Sequence, residues 1–187
     1  MNTASTLTIK TTWGDIRIAA RDGRIISCEL PSFQGLEKGA GKTSNPWKKG
    51  DARPETTFAF RGGTFRDADD TFDKKVLRDA ENFVKSLFAG RAAKVPPVAM
   101  PAAPEFTQAV WCDLQKIPFG KTRTYGEVAA AVHRPRAARA AGSACGANRI
   151  PLFIPCHRVL GSGGALGGFS SGLAWKKLLL ACEGTAP

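Results

Sequence analysis

Residues 122–146 read TRTYGEVAAAVHRPRAARAAGSACG, two short helix signals on either side of a break. Thr124 is a good N-cap, and Glu127 three positions on completes a capping box, so a helix starts at Tyr125 and runs to about Val132. HRP makes a tight turn, and Pro135 suits the first position of a second helix. That helix carries Arg136 and Arg139 among alanines and Gly142. The arrangement has the form of a helix-turn-helix. With little bulk around Arg139, the second helix could approach a groove closely and reach inside with one long cation. The same small residues would suit packing against a neighbouring helix, and on these residues alone both readings stand.

Downstream, FIPCHRVLG at 153–161 places Cys156 beside His157 in a chain with only two histidines. The thiolate, not the thiol, is the nucleophile, so a reactive cysteine needs a base. Neighbours on an extended chain point to opposite sides, so a bridging water would relay the proton to His157. His157 would then need an orienting acceptor, as in a triad. The candidate is Glu183, in the last turn of GLAWKKLLLACEG, a helix expected to bury Leu173 and Leu179 and to stop at Gly184. A carboxylate there faces the negative end of the helix dipole, which a partner elsewhere would offset. Between them GSGGALGGFSSG, 161–172, holds six glycines in twelve residues. It reads as a close backbone approach to a ligand, a hairpin or a surface loop.

Upstream, the first thirty residues read as a β-meander: LTIKTT, a WGD turn, IRIAA, an Asp-Gly turn and IISCEL. Residues 31–56 are rich in Gly, Pro, Lys and Ser and read as a long irregular loop. Within it GLEKGAGKT imitates a phosphate-binding loop. The motif requires glycine where Leu36 stands, no strand precedes it, and Pro46 follows, so an NTPase is excluded. TFAFRGG, 57–63, is a candidate strand. DTFDKKVLRDAENFVKSLFAG then puts Phe72, Val76, Ala80, Phe83 and Leu87 on one helical face, widened by Val84 and Phe88, with Gly90 as the stop. A proline-rich linker, 96–104, divides an α+β first part, 1–95, from a mostly helical second part, 105–187. The latter opens with a helix to about Lys116 that aligns Phe106, Val110 and Leu114, with Trp111 beside them.

The chain has 187 residues and a formal net charge of +11. A balance of that sign favours a polyanionic partner. No apolar run is long enough to span a membrane, and the start lacks the pattern of a signal peptide, so a cytoplasmic location is expected, or a nuclear one in a eukaryote. Five scattered cysteines without a CxxC argue against a disulfide framework, and two histidines leave no zinc spacing.

The second part resembles the O6-alkylguanine-DNA alkyltransferases, the methylated-DNA–protein-cysteine methyltransferase family. The resemblance runs from Phe106 to Gly184. It is carried, in order, by VWCDLQKIPFGKTRTYGEVA, RAARAAGSACGANRIPLFIPCHRV and GGFSSGLAWKKLLLACEG. It implies an α+β fold whose first part is RNase-H-like and whose second part holds the helix-turn-helix and the active-site cysteine. It implies transfer of the alkyl group from O6-alkylguanine, and from O4-alkylthymine, in double-stranded DNA to Cys156, in one irreversible turnover by a monomer. No cofactor, metal, membrane or obligate protein partner is implied.

The site residues follow from the same resemblance. Glu183 orients His157, and a water links His157 to Cys156. The second helix enters the minor groove, with Arg139 filling the gap left by the extruded base and Arg136 and Thr124 contacting DNA. Tyr125 rotates the nucleotide out. Ser170 and the backbone near Cys156 and Val159 read the base edge, Phe169 lines the pocket, and Asn148 ties the helix-turn-helix to the active-site strand. Phe169 stands where many members have tyrosine, and Cys145 lies where others carry different residues. Zinc, held by cysteines and histidines in the first part of some members, is not expected here, since that part has only Cys28 and no histidine.

Three other functions compete. A DNA-binding relative that flags lesions would lack the nucleophile, which is present. A transcription regulator would carry several base-reading polar side chains on its second helix, where this one has mainly Arg139 and Arg136. A cysteine hydrolase would need an oxyanion hole and repeated turnover.

Overall fold

The computed structural model describes residues 3–32, 63–66 and 71–185. Strands β1 (Ser5–Thr11), β2 (Gly14–Arg21) and β3 (Arg24–Glu29) form the expected meander, and β4 (Gly63–Arg66) completes an antiparallel sheet in the order β3-β2-β1-β4. The β2–β3 turn is a two-residue type with Asp22 and Gly23 both at positive φ (53° and 68°), the geometry an Asp-Gly pair favours. Of the candidate strand 57–63, only Gly63 is described, and it opens β4. The irregular segment 31–56 lies outside the described residues beyond Ser32.

Alternation fixes which sheet face is covered. Leu7, Ile9, Ile16, Ile18, Ala20 and Ile25 are all buried, against helix α1 (Thr71–Phe88). Each such aliphatic side chain of Val or Leu size contributes roughly 1.5–3 kcal/mol over its exposed state. Val76, Leu77, Ala80, Phe83, Val84, Leu87 and Phe88 form the helix's apolar stripe, and Gly90 ends it at φ +67°. Phe72, expected in that stripe, is 72% exposed. It lies one residue into the helix, beside the β2–β3 turn. Asp73, next to it, is buried and accepts the Gly23 N–H at 2.8 Å, fastening the β2–β3 turn to the helix start.

The proline-rich stretch does not run free. Ile25 donates to Pro97 O at 2.9 Å and Ala99 donates to Ile25 O at 2.8 Å, so the stretch lies along the β3 edge, where residues lacking an N–H are tolerated. It delivers the chain to α2 (Glu105–Leu114), α3 (Tyr125–Ala131), α4 (Ala138–Gly146) and α5 (Leu173–Cys182). Phe83 stacks obliquely on Phe153, with centroids 5.2 Å apart, and Trp175 donates to Pro31 O at 2.7 Å. One hydrophobic cluster therefore joins the sheet, α1 and the later helices. Among the described residues no helix is long and apolar enough to cross a membrane.

The capping box forms as read: Thr124 Oγ1 accepts the Glu127 N–H at 3.1 Å, and the Glu127 carboxylate accepts the Thr124 N–H at 2.6 Å. His133, at φ +60°, then closes α3. Its N–H donates to Ala130 O, and that of Arg134 to Ala129 O, the Schellman pattern. The second helix starts later than expected. Pro135 occupies a turn closed by Ala137 N–H to Arg134 O at 2.8 Å, and α4 begins at Ala138. The fixed φ of proline serves this turn rather than a first helical position, so Arg136 precedes the helix and only Arg139 rides on it. In α5, Leu173, expected to be buried, is 44% exposed because it starts the helix beyond its packed face.

Candidate active site

Cys156 begins a single 3-10 turn, Cys156–Arg158, directly after the buried run Ile150–Ile154. Asn148 organises its approach. The Asn148 amide donates to Ile154 O at 2.7 Å and to Cys156 Sγ at 3.2 Å, while its Oδ1 accepts the Ile150 N–H at 2.9 Å. An asparagine suits this work because it bonds backbone within a few residues of itself. The side chain expected to tie α4 to the active-site segment thus also touches the sulfur.

Burial pushes the Cys156 thiol up to about 11, against the opposing pull of the Asn148 donor and the Lys176 charge. The resting group is a thiol at neutral pH, so acting as a nucleophile would require loss of its proton. His157 is completely buried, and its Nε2 lies 2.8 Å from Glu183 Oε1. Burial lowers the imidazole's proton affinity, although the hydrogen bond and charge of Glu183 oppose this. Burial would raise the Glu183 pKa, but hydrogen bonds and charge from His157 and Arg158 outweigh it and hold the carboxyl at about 2. An ionised carboxylate only accepts, so Nε2 carries the ring proton and Nδ1 keeps its lone pair. Nδ1 is buried without a hydrogen-bond partner.

Glu183 does more than orient His157. The Arg158 guanidinium grips it, with Nε at 3.1 and 2.9 Å from the two carboxylate oxygens and Nη2 at 2.9 Å from Oε1. Arg158 Nη1 donates to Ile117 O at 2.7 Å, and Gly120 N–H reaches Glu183 Oε2 at 3.2 Å. The carboxylate therefore joins the end of α5, the segment after α2 and the Cys156 turn. The sequence reading missed Arg158. Its signal was available, since an arginine within one residue of a buried His-carboxylate pair is the natural counter-charge for that carboxylate.

Two residues of parallel pairing, Arg123 with Val159 and Thr124 with Leu160, set the start of α3 beside the strand that leaves Cys156. This brings Tyr125 to the site. Tyr125 is half-buried, and its hydroxyl pKa is raised by burial and then by the neighbouring charges of Cys145 and Cys156. Thr124, Tyr125, Arg139, Gly142 and Phe169 line one cleft of about 830 Å³. Arg139 is exposed on its rim, as is Arg136 on the preceding turn. Ser170 and Asn148 line a different depression, of about 800 Å³. The Val159 carbonyl accepts the Lys176 ammonium at 2.6 Å, and the Cys156 N–H donates to Ile154 O at 2.8 Å, so both backbone groups are already engaged. Lys176, fully buried in α5, is a second residue the sequence reading passed over. Its position three before Leu179 and four before Leu180, both on the buried face, was the available signal. Among the described residues no group of three or more His, Cys, Asp or Glu side chains could hold a metal ion.

Residues 105–185 match the family model described as 6-O-methylguanine DNA methyltransferase, DNA binding domain. The methylated-DNA–protein-cysteine methyltransferase of Methanosarcina acetivorans is 41% identical over 113 residues, which cover 60% of this chain and 72% of that protein. Its namesake from Mycobacterium tuberculosis is 39% identical over 113 residues, covering 60% and 68%. The mixed α/β fold, an antiparallel sheet with helices, matches the crystal structure of Mycobacterium tuberculosis OGT in complex with DNA at TM-score 0.65 and 28% identity, over 96% of this chain and 93% of that one. The structure of the O6-methylguanine methyltransferase of the same organism matches at TM-score 0.66 and 28% identity, over 98% and 95%. The chain belongs to the methylated-DNA–protein-cysteine methyltransferase family.

Proposed function

We propose that this protein repairs alkylated DNA by moving the alkyl group of O6-alkylguanine, and of O4-alkylthymine, onto Cys156 in a single turnover. The observation that carries this reading is the buried His157–Glu183 pair directly after Cys156 in the chain. The ionised Glu183 holds the Nε2–H tautomer, which leaves Nδ1 as a base next in sequence to a thiol that must lose its proton.

The reaction then balances as follows. The thiol proton passes to His157 Nδ1 through one water. The sulfur lone pair attacks the alkyl carbon, the C–S bond forms and the C–O6 bond breaks. The bonding pair leaves with guanine, which takes up a proton from Tyr125 or a nearby donor. The thioether product is inert to hydrolysis, so the protein is consumed.

DNA would lie along α3 and α4, used as a helix-turn-helix in the minor groove. Arg139, on the cleft rim, fills the stack where the base has left, and Arg136 and Thr124 meet the backbone. Extrusion costs a few kcal/mol and least for a poorly paired base such as O6-methylguanine. Tyr125 and Phe169, which line the same cleft, then wall the flipped base. In this reading 1–95 is an RNase-H-like unit, 96–104 connects, and 105–187 carries DNA binding and chemistry. The protein acts as a monomer in the compartment that holds the DNA. Incubation with excess duplex labelled in the O6-methyl group tests the turnover: label on the protein should plateau at one equivalent. Continued release of label into solution would refute a stoichiometric acceptor.

A further inference from the structure

Lys176 is fully buried, which for a lysine demands partners. Its ammonium donates to Val159 O at 2.6 Å, to Leu166 O, and to Gly168 O at 3.4 Å. Three carbonyls match the three donors of an ammonium. The same Nζ stands 5.7 Å from the centroid of the Tyr125 ring. One carbonyl belongs to the strand that leaves Cys156, and two belong to the glycine-rich loop 161–172. Backbone bonds within that loop, such as Gly161 N–H to Ala165 O and Gly172 N–H to Phe169 O, are local. The loop also meets Tyr125 with almost no clearance. A Cβ built on Gly167 would fall 2.8 Å from the Tyr125 hydroxyl oxygen, and Gly167 itself has φ +63°.

We propose that Lys176 is a positioning residue for the transfer: it holds the glycine-rich loop against Tyr125 and thereby sets the width of the cleft that receives the alkylated base. This rests on the reading of Cys156 as the alkyl acceptor. The ammonium contributes a second effect at the same place. Its positive charge favours the Cys156 and Cys145 thiolates, and their charge favours it. The titratable groups that share this neighbourhood are Cys156, Cys145, His157 and Tyr125.

The test compares wild type, Lys176→Met, Lys176→Arg and Gly167→Ala. Single-turnover transfer is measured from duplexes carrying O6-methylguanine or O6-butylguanine, and reaction of Cys156 with iodoacetamide is followed against pH by peptide mass. Lys176→Met should slow methyl transfer at least about tenfold and raise the pH midpoint of Cys156 alkylation by about one unit, the size expected for losing a nearby opposite charge. Lys176→Arg should keep that midpoint without restoring the transfer rate, because a planar guanidinium cannot place its donors on the same three carbonyls. Gly167→Ala, which moves the loop and leaves the charge, should slow transfer with the midpoint unchanged. In both Lys176→Met and Gly167→Ala the butyl-to-methyl rate ratio should change at least about threefold, which a uniform loss of folded protein would not produce. Wild-type rates and ratio in Lys176→Met would overturn the proposal. If that variant does not fold, a wild-type rate and ratio in Gly167→Ala overturns it. Absence of methyl on Cys156 in the folded wild type would instead defeat the transfer reading itself.

Discussion

Replacing Glu183 by glutamine strikes the point where the site and the fold share one carboxylate. Glu183 takes the His157 ring N–H at 2.8 Å, the Arg158 guanidinium at 2.9–3.1 Å and the Gly120 N–H at 3.2 Å. A glutamine offers one acceptor oxygen and turns an NH2 toward donors, leaving the Arg158 charge buried without its counter-ion. Breaking a buried pair from one side costs about 3–5 kcal/mol. The depression of the carboxyl from 4.5 to about 2 corresponds to roughly 3 kcal/mol, at the low end of that range. For a chain of this size the melting temperature should fall by about 6–20 °C at neutral pH.

The sign with pH is determined. A carboxyl held below its ordinary value stabilises the fold above that value and loses the stabilisation as pH falls through the folded one. The gap between wild type and Glu183→Gln should therefore be full at pH 7 and shrink between about 4.5 and 2. Transfer should drop about a hundredfold or more, since His157 loses the partner that fixes its tautomer. Thermal denaturation by circular dichroism at several pH values, with single-turnover transfer measured well below the melting point, checks both. Melting within about 2 °C of wild type and transfer within about threefold would refute the assignment of Glu183.

Cys156→Ser should bind methylated duplex as wild type does and show no transfer; transfer in that variant would move the acceptor elsewhere. Arg139→Ala should slow repair of duplex more than reaction with free O6-methylguanine, and equal losses in the two assays would remove its role in base extrusion. Wild-type transfer should hold its rate through the ordinary histidine pKa and fall only at lower pH, because burial keeps His157 neutral; a rate that halves above pH 7 would contradict this. Thr124→Ala removes one side of the capping box and should cost about 1 kcal/mol, seen as a small drop in melting temperature that leaves the Cys156 reaction with iodoacetamide unchanged.

The meander and the helices were legible because their signals are local. Alternation placed Leu7, Ile9, Ile16 and Ile18 on the covered face, and the Asp-Gly pair fixed the β2–β3 turn. Thr124 and Glu127 marked the start of α3 to the residue. Helix ends were harder. Phe72 and Leu173 have the right phase but stand in the first turn, past the surface their helices cover. Pro135 is compatible with a first helical position and with a β-turn, and the left-handed His133 before it decided for the turn.

At the site, the Cys156–His157 adjacency suggested a thiol with a base, and the family resemblance supplied the remaining roles. Helical phase hinted at Lys176 and the neighbouring His-carboxylate pair at Arg158, but neither signal showed which groups would pair with these two residues. Both are cations whose partners come from segments distant in sequence: Glu183 and Ile117 for Arg158, and backbone carbonyls of the 159–168 stretch for Lys176. Such partners exist only once the fold brings them together.

The most direct test of the alkyl-acceptor claim is intact mass followed by peptide mapping after mixing the protein with a duplex carrying one O6-methylguanine. A single added methyl, on the peptide that contains Cys156 and limited to one per molecule, is the predicted result. An unmodified protein that still binds the duplex tightly would contradict the account and make the chain a reader of the lesion.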